Sequence, residues 1–203
     1  MIWDRVAPLY DFFENTFNRA VYDGTGEAVA RMIRPDDRVL ECACGTGAIS
    51  VAIAPVCARL VATDYSEGML SQARKKLATH SNVTVEQADI TALRYVADSF
   101  DVAVAGNVIH LLPDPAHALR ELARVVKPGG TIIVPTYVSL TDGANNPIPR
   151  LLSRLGLRFQ EHFTPASYQA FVEGMGYDEA RFRLVRGRIP CAIAFFPNRK
   201  QED

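Results

Sequence analysis

Short apolar runs alternate with segments of helical periodicity along most of the 203-residue chain. Ser66 and Asp114 are predicted N-caps of two of these helices, and the second helix should stop at residues 127–130. Such alternation predicts a parallel sheet with helices on both faces. The predicted parallel strands are residues 38–42, 58–63, 82–86, 100–105 and 131–134.

The C-terminal part of the chain departs from this alternation. Thr164 and Pro165 begin a further helix, and residues 180–185 and 191–196 form two more apolar runs. Their connection is so short that only antiparallel pairing suits it. We therefore expect an α/β fold with a seven-stranded, mostly parallel sheet and one antiparallel edge strand.

The N-terminal segment is predicted to be helical. Its aromatic and aliphatic side chains share one helical face, and Pro8 should kink the helix or divide it in two. We expect this helix to lie over the mouth of the sheet. The residues of the shared face are Trp3, Val6, Tyr10, Phe13 and Phe17.

Length and pattern together predict a single domain, 1–203. It divides into an N-terminal helical cap (1–34), a core (37–135), an irregular insertion (136–163) and a C-terminal helix with an antiparallel hairpin (164–203).

Composition narrows the possible partners. The net charge is −1, which gives no general attraction to nucleic acid or to anionic membranes. No apolar run approaches the roughly 20 residues of a membrane span. We expect a cytoplasmic protein, monomeric or homodimeric, without an integral membrane segment.

The four cysteines do not have the spacing of a disulfide framework or of a zinc site. Cys42 and Cys44 are interpreted as small buried residues, and no metal is expected.

Acidic residues lie at the ends of three successive predicted strands. Glu41 lies in the stretch Val-Leu-Glu-Cys-Ala-Cys-Gly-Thr-Gly, where Gly45 and Gly47 permit close approach of a ligand to the backbone. Asp64 ends the second strand, where an acid can accept hydrogen bonds from ribose hydroxyls, and Asp89 ends the third. A tight turn without a ligand, and acids that are merely solvated or cap helices, are the alternatives.

The glycine pattern argues against two nucleotide classes. A dinucleotide fingerprint would place a third glycine where Ser50 stands, and Glu41 would lie close to the pyrophosphate. No P-loop sequence occurs. A cationic ligand without phosphate suits Glu41 better.

The motifs resemble those of class I S-adenosylmethionine-dependent methyltransferases, in the small-molecule type-11 or UbiE-like group. Five stretches match in order between about residues 37 and 135: 41–47, 64–70, 88–90, 107–115 and 127–130. The resemblance implies a Rossmann-like fold, S-adenosyl-L-methionine as cofactor and S-adenosylhomocysteine as product. Ala43 replaces the first glycine of the usual motif, which narrows the space near the methionine moiety.

The resemblance also implies a role for each matching residue. Glu41 would face the methionine amino group, Asp64 the ribose, and Asp89 with the backbone of Ile90 the adenine. Further implied cofactor-binding residues are Ala43, Gly45, Gly47, Tyr65, Met69 and Asn107.

Three residues are candidates for catalysis or acceptor contact. His110 follows the fourth strand and is the best candidate base, although a packing role is the alternative. Tyr10 is a candidate cover for the cofactor, and Tyr137 a candidate wall of the acceptor pocket.

The expected acceptor is a small molecule rather than nucleic acid, and its chemical class is left open. Two other functions also stay open: a non-catalytic cofactor-binding regulator or partner subunit, and a nicotinamide-dependent oxidoreductase.

Overall fold

The computed structural model describes residues 18–140 and 163–199. Seven strands form one sheet in this part of the chain. They are β1 (Arg38–Cys42), β2 (Arg59–Asp64), β3 (Val83–Gln87), β4 (Phe100–Ala105), β5 (Val126–Tyr137), β6 (Arg181–Val185) and β7 (Cys191–Pro197).

Five α-helices accompany the sheet in the described ranges: α1 (Arg19–Ala30), α2 (Ala48–Ile53), α3 (Glu67–Leu77), α4 (Pro115–Val125) and α5 (Pro165–Gly174). The predicted caps are confirmed. Ser66 accepts a hydrogen bond from the backbone of Met69, and Asp114 accepts one from the backbone of His117. Thr164 caps α5 in a reciprocal capping box with Ser167.

The strand order is β3-β2-β1-β4-β5-β7-β6. The first five strands of this order run parallel, and β7 is antiparallel to both of its neighbours. The predicted mostly parallel sheet is confirmed. The reversed strand lies one position inside the edge, because β7 is inserted between β5 and β6.

The fifth strand begins earlier than predicted. Residues 127–130 were expected only to stop α4, but β5 starts at Val126 and includes them. Its pairing with β4 shifts register between Phe100 and Val102, which accommodates the extra residues. Gly130 fits this close approach, since a Cβ there would lie 2.5 Å from the carbonyl oxygen of Asp101.

Two apolar clusters cover the two faces of the sheet. On one face α1, α2 and α3 contribute Val29, Ile53 and Leu70, and on the other α4 and α5 contribute Leu122 and Tyr168. The prediction of helices on both faces is therefore confirmed, and the carboxyl ends of β1, β2 and β4 meet at one edge.

Several expectations lie outside the described residues. They include the apolar face from Trp3 to Phe17, with Tyr10, and most of the insertion 136–163. The domain boundaries stay a prediction. Among the described helices, none combines the length and apolar character that crossing a membrane requires.

Candidate cofactor site

The loop between β1 and α2 has an unusual backbone. Ala43, Gly45 and Gly47 have φ values of 55°, 55° and 88°, in the left-handed region that favours glycine. Gly47 lies against Ala73 of α3, where a Cβ would be 3.4 Å from that residue. The chain thus turns sharply between strand and helix and exposes backbone toward the carboxyl edge of the sheet.

A cleft opens at this loop and encloses about 450 Å³ of empty space, part of it open to solvent. Its walls come from α1, β1, the glycine loop, the start of α2, and the ends of β4 and β5. The lining residues are Tyr22, Thr25, Glu41, Ala43, Cys44, Gly45, Thr46, Ala48, Ile49, Gly106, Asn107 and Tyr137.

Glu41 is the most unusual group in this cleft. Its side chain is 1% exposed, and its Oε2 atom accepts a hydrogen bond from Ser50 Oγ at 2.5 Å. Its Oε1 atom accepts no hydrogen bond from any described residue. Burial raises the pKa of Glu41 from 4.5 to about 7, the Ser50 hydrogen bond opposes this, and the charge of Asp64 adds to it. A buried carboxylate oxygen of this kind needs a donor or a cation.

Asp64 lies beside the cleft and is held by main-chain groups. Its two oxygens accept hydrogen bonds from the backbone of Gly45 and of Ser66, both at 2.8 Å. These bonds fix the orientation of the Asp64 carboxylate at the end of β2. The bond to Gly45 joins the end of β2 to the glycine loop.

Asp89 and Ile90 lie in the loop after β3. Asp89 Oδ1 accepts hydrogen bonds from the Thr91 backbone at 2.8 Å and from the Thr91 hydroxyl at 2.7 Å. Ile90 is 7% exposed and packs in the core. Neither residue belongs to the walls of the glycine-loop cleft.

Tyr65 and Met69 differ sharply in exposure. Tyr65 is 54% exposed, whereas Met69 is 3% exposed within α3. Both follow Asp64 in the chain, outside the cleft walls. Their implied contacts with the adenine stay a prediction.

Asn107 and Tyr137 come together at the side of the cleft formed by β4 and β5. Asn107 has a φ of 51°, and its Oδ1 atom accepts a hydrogen bond from the Cys191 thiol at 3.5 Å. Tyr137 pairs with Cys191 across β5 and β7. The hairpin strand β7 therefore supports this wall.

His110 is buried behind the wall. It is 3% exposed, in the short 3₁₀ turn Ile109–Leu111, and is not a lining residue of the cleft. Its ring centroid lies 6.3 Å from that of Tyr137, in an edge-on arrangement. His110 is one side chain away from the cleft, and its catalytic role stays a prediction.

The thiols near the loop are held in their neutral form. Burial raises the pKa of Cys42 to about 12 and the pKa of Cys44 well above its ordinary value. Nucleophilic attack and metal binding both require the thiolate. Among the described residues, no group of three or more His, Cys, Asp or Glu side chains is arranged to hold a metal ion.

Sequence reasoning missed the contribution of α1. Tyr22 and Thr25 line the cleft one helical turn apart. Tyr22 also lies 3.4 Å from the Thr46 hydroxyl, which accepts a hydrogen bond from Lys76 Nζ at 3.1 Å. Polar residues three apart on an otherwise apolar helix face were the available signal.

Comparison with known sequences places these features in a family. A methyltransferase domain family matches residues 40–134. A demethylmenaquinone methyltransferase from Clavibacter sepedonicus is 40% identical over 135 residues, 66% of this chain and 55% of that protein. A UbiE C-methyltransferase of ubiquinone and menaquinone biosynthesis from Bdellovibrio bacteriovorus is 32% identical over 66% of this chain. The chain spans 55% and 59% of the lengths of these two relatives.

The fold has close counterparts among solved structures. One, from Thermotoga maritima, is described as a SAM-dependent methyltransferase and possible histamine N-methyltransferase. It superposes with a TM-score of 0.76 at 19% identity and covers 98% of this chain and 99% of its own. The motif order, the domain match and the fold agree. The findings therefore support a class I S-adenosylmethionine-dependent methyltransferase of the UbiE-like group, whose cofactor is S-adenosyl-L-methionine.

Proposed function

We propose that this chain transfers the methyl group of S-adenosylmethionine to a carbon atom of a small quinol-type ring. The observation that carries methyl-donor binding is the buried Glu41, whose Oε1 atom faces no donor among the described residues of the cleft wall. The family assignment favours this reading over a nicotinamide-dependent oxidoreductase.

The cleft residues fit the methionine end of the cofactor. Glu41 would accept the α-ammonium group at Oε1, which supplies the cation that this buried atom needs. Gly45 fits a close backbone contact, because a Cβ there would meet no atom within 4 Å.

The other end of the cofactor would extend along the strand ends. Asp64 would accept hydrogen bonds from the ribose hydroxyls beside the glycine loop, and Asp89 would accept a hydrogen bond from the adenine amino group. The backbone of Ile90 and the side chains of Tyr65 and Met69 would complete the adenine site.

Bound S-adenosylmethionine supplies a methyl group that its sulfonium already activates. The chain has to align the acceptor with that methyl group and exclude water, and alignment supplies much of the rate gain. Asn107 and Tyr137 line the wall beyond Glu41 and are the described side chains that we assign to the acceptor end.

The names of the relatives support the acceptor class. The proteins similar to this chain are named as methyltransferases for demethylmenaquinone and for ubiquinone and menaquinone biosynthesis. In such a transfer the ring carbon forms a bond to the methyl group and the sulfur–methyl bond breaks. The ring carbon then loses its proton to a base, for which His110 is our candidate.

The experiment that tests this proposal has two parts. Calorimetry of the purified chain with S-adenosylhomocysteine should give saturable one-site binding. Incubation with S-adenosylmethionine and a reduced, short-chain demethylmenaquinone should give a product heavier by one methyl group. Histamine and a catechol serve as matched acceptors of other classes and should give no product. Binding without transfer to any acceptor would favour the regulator, and absence of binding would overturn the proposal.

The candidate catalytic residues have a separate test. If His110 takes the ring proton, His110→Ala should lower kcat by roughly 10²–10⁴ and alter its pH profile, with S-adenosylhomocysteine affinity intact. Tyr137→Phe should raise the acceptor KM more than it lowers kcat. Tyr10→Ala should lower the affinity for the cofactor if the Tyr10 ring covers it. A His110→Ala enzyme with parental kcat, KM and stability would leave alignment alone as the mechanism.

A further inference from the structure

Three polar side chains of α4 hold the loop that follows β3. The apolar face of α4, with Leu119 and Leu122, is buried in the core. Its polar side turns toward residues 91–95, the segment directly after Asp89 and Ile90. The loop is therefore fixed from a helix that contributes no residue to the described lining of the glycine-loop cleft.

Arg124 makes the central contacts. Its guanidinium donates to the carbonyl oxygens of Leu93 and Tyr95, both at 2.8 Å. It also forms two hydrogen bonds with the carboxylate of Glu121, both at 2.9 Å. One planar fork thus joins two loop carbonyls to one helix carboxylate, a geometry that lysine cannot reproduce.

Glu121 and His117 complete the arrangement. Glu121 Oε2 accepts a hydrogen bond from the backbone of Leu93 at 3.1 Å, and the hydrogen bond from Arg124 lowers the pKa of this carboxyl group. The Nε2 atom of His117 lies 2.8 Å from the carbonyl oxygen of Thr91, so it acts as the donor. The same Thr91 donates twice to Asp89 Oδ1.

These contacts form a continuous path from α4 to the carboxylate of Asp89. We propose that Arg124 and Glu121, with His117, are positioning residues that set Asp89 and Ile90 for recognition of the adenine ring. This inference rests on the proposed function, because it assigns the adenine to the loop after β3. It assigns an effect on purine specificity to residues that lie outside the five sequence motifs.

The test compares two ligands that differ only in the purine. S-adenosylhomocysteine carries the amino group that Asp89 would accept, and S-inosylhomocysteine carries a carbonyl oxygen in its place. Wild type should prefer the adenine compound. Arg124→Gln should lower the affinity for S-adenosylhomocysteine by roughly tenfold and reduce the preference for it over S-inosylhomocysteine, because the Asp89 carboxylate is no longer held in place. Calorimetry measures both affinities.

Two further variants make the result specific. Arg120→Gln is the matched control, since Arg120 lies on the same helix, is 60% exposed and forms an ion pair with Asp114 at 3.9 Å rather than with the loop after β3. It should leave both affinities unchanged. Arg124→Gln should add little to the loss already caused by Asp89→Ala, since both act through one contact.

Each outcome decides a different claim. If wild type does not bind S-adenosylhomocysteine, the proposed function fails. If wild type binds and Arg124→Gln keeps the affinity and the preference, only the positioning role fails. An equal loss of affinity for both ligands would mean that Arg124 supports the fold in general, and it would also overturn the positioning role. If Arg124→Gln does not fold, Arg124→Lys decides, with a reduced preference expected.

Discussion

The carboxyl group of Glu41 links the stability of the chain to pH. Burial raises its pKa from 4.5 to about 7, so folding favours the protonated form. The stabilisation is complete below about pH 4.5 and is lost as the pH rises through about 7.

Glu41→Gln should remove this loss. At pH 8 the ligand-free variant should be more stable than wild type by up to roughly 3 kcal/mol, and at pH 4 the difference should vanish. Urea unfolding at the two pH values measures it. A variant that is less stable at pH 8 would contradict the raised pKa.

The same group should make cofactor affinity depend on pH. If Glu41 binds the α-ammonium group as a carboxylate, it must lose its proton first whenever the pH is below about 7. The affinity for S-adenosylhomocysteine should then rise by up to tenfold per pH unit and level off above that value. Calorimetry from pH 5.5 to 8 measures this, and Glu41→Gln should bind weakly with a flat profile. Flat wild-type affinity would remove Glu41 from the ammonium site.

Ala43 holds a backbone conformation that suits glycine. Its φ is 55°, and a left-handed residue with a Cβ is destabilised by roughly 1–2 kcal/mol. Ala43→Gly should raise stability by up to about 1 kcal/mol, because glycine's greater freedom in the unfolded chain offsets part of the relief. It should change S-adenosylhomocysteine affinity by less than tenfold.

Ala78→Gly is the control for this substitution. Ala78 has an ordinary helical φ of −56°, so glycine there should lower stability. Urea unfolding measures the stability of both variants, and calorimetry measures their affinity for S-adenosylhomocysteine. Tightening of the ligand by much more than tenfold in Ala43→Gly would show that the methyl group obstructs the cofactor.

Helix α1 is fixed at its start by a side chain that imitates backbone pairing. Asn18 donates from Nδ2 to the carbonyl oxygen of Ile189 at 3.0 Å and accepts at Oδ1 from the Ile189 backbone at 3.1 Å. The helix then carries Tyr22 and Thr25 to the cleft. The connection between β6 and β7 is thereby joined to the helix that forms one wall of the glycine-loop cleft.

Asn18→Ala should loosen this wall. We expect a loss of roughly 1–3 kcal/mol in stability, because both hydrogen bonds disappear and the Ile189 groups lose their partner. S-adenosylhomocysteine should bind more weakly as well. Arg19→Ala is the control, since Arg19 is 74% exposed and forms an ion pair with Asp23 on the surface of the same helix. Parental stability and affinity in Asn18→Ala would show that α1 is held by other contacts.

Local chemistry explains what could be predicted from the sequence. Ser66 and Asp114 cap helices through hydrogen bonds within three residues. Asp64 ends β2, and Glu41 is the last but one residue of β1, in strands that the apolar pattern already marks. The strand–helix alternation then brings these strand ends to one edge. The cofactor class therefore followed from the resemblance and from acids that neighbouring strands align.

Tertiary packing explains what could not be predicted. The start of β5 at Val126 depends on pairing with β4, and the turn pattern of residues 127–130 favours a loop instead. Tyr22 reaches the cleft from a helix whose first turn is joined, through Asn18, to a loop 171 residues away. The burial of His110 behind Tyr137 likewise depends on how two strand ends pack.

The insertion of β7 between β5 and β6 has a consequence for the order of folding. β6 precedes β7 in the sequence, yet its neighbour in the sheet is β7, so β6 can join the sheet only once β7 has paired with β5. We therefore expect the last two strands to add together as a hairpin, after the closure of a long loop. Cys191 begins β7, faces Tyr137 across the strands and donates to Asn107. On this order, the wall assigned to the acceptor forms last. A chain whose hairpin has not yet docked already has Glu41 and Asp64 in adjacent parallel strands, but its acceptor pocket is incomplete.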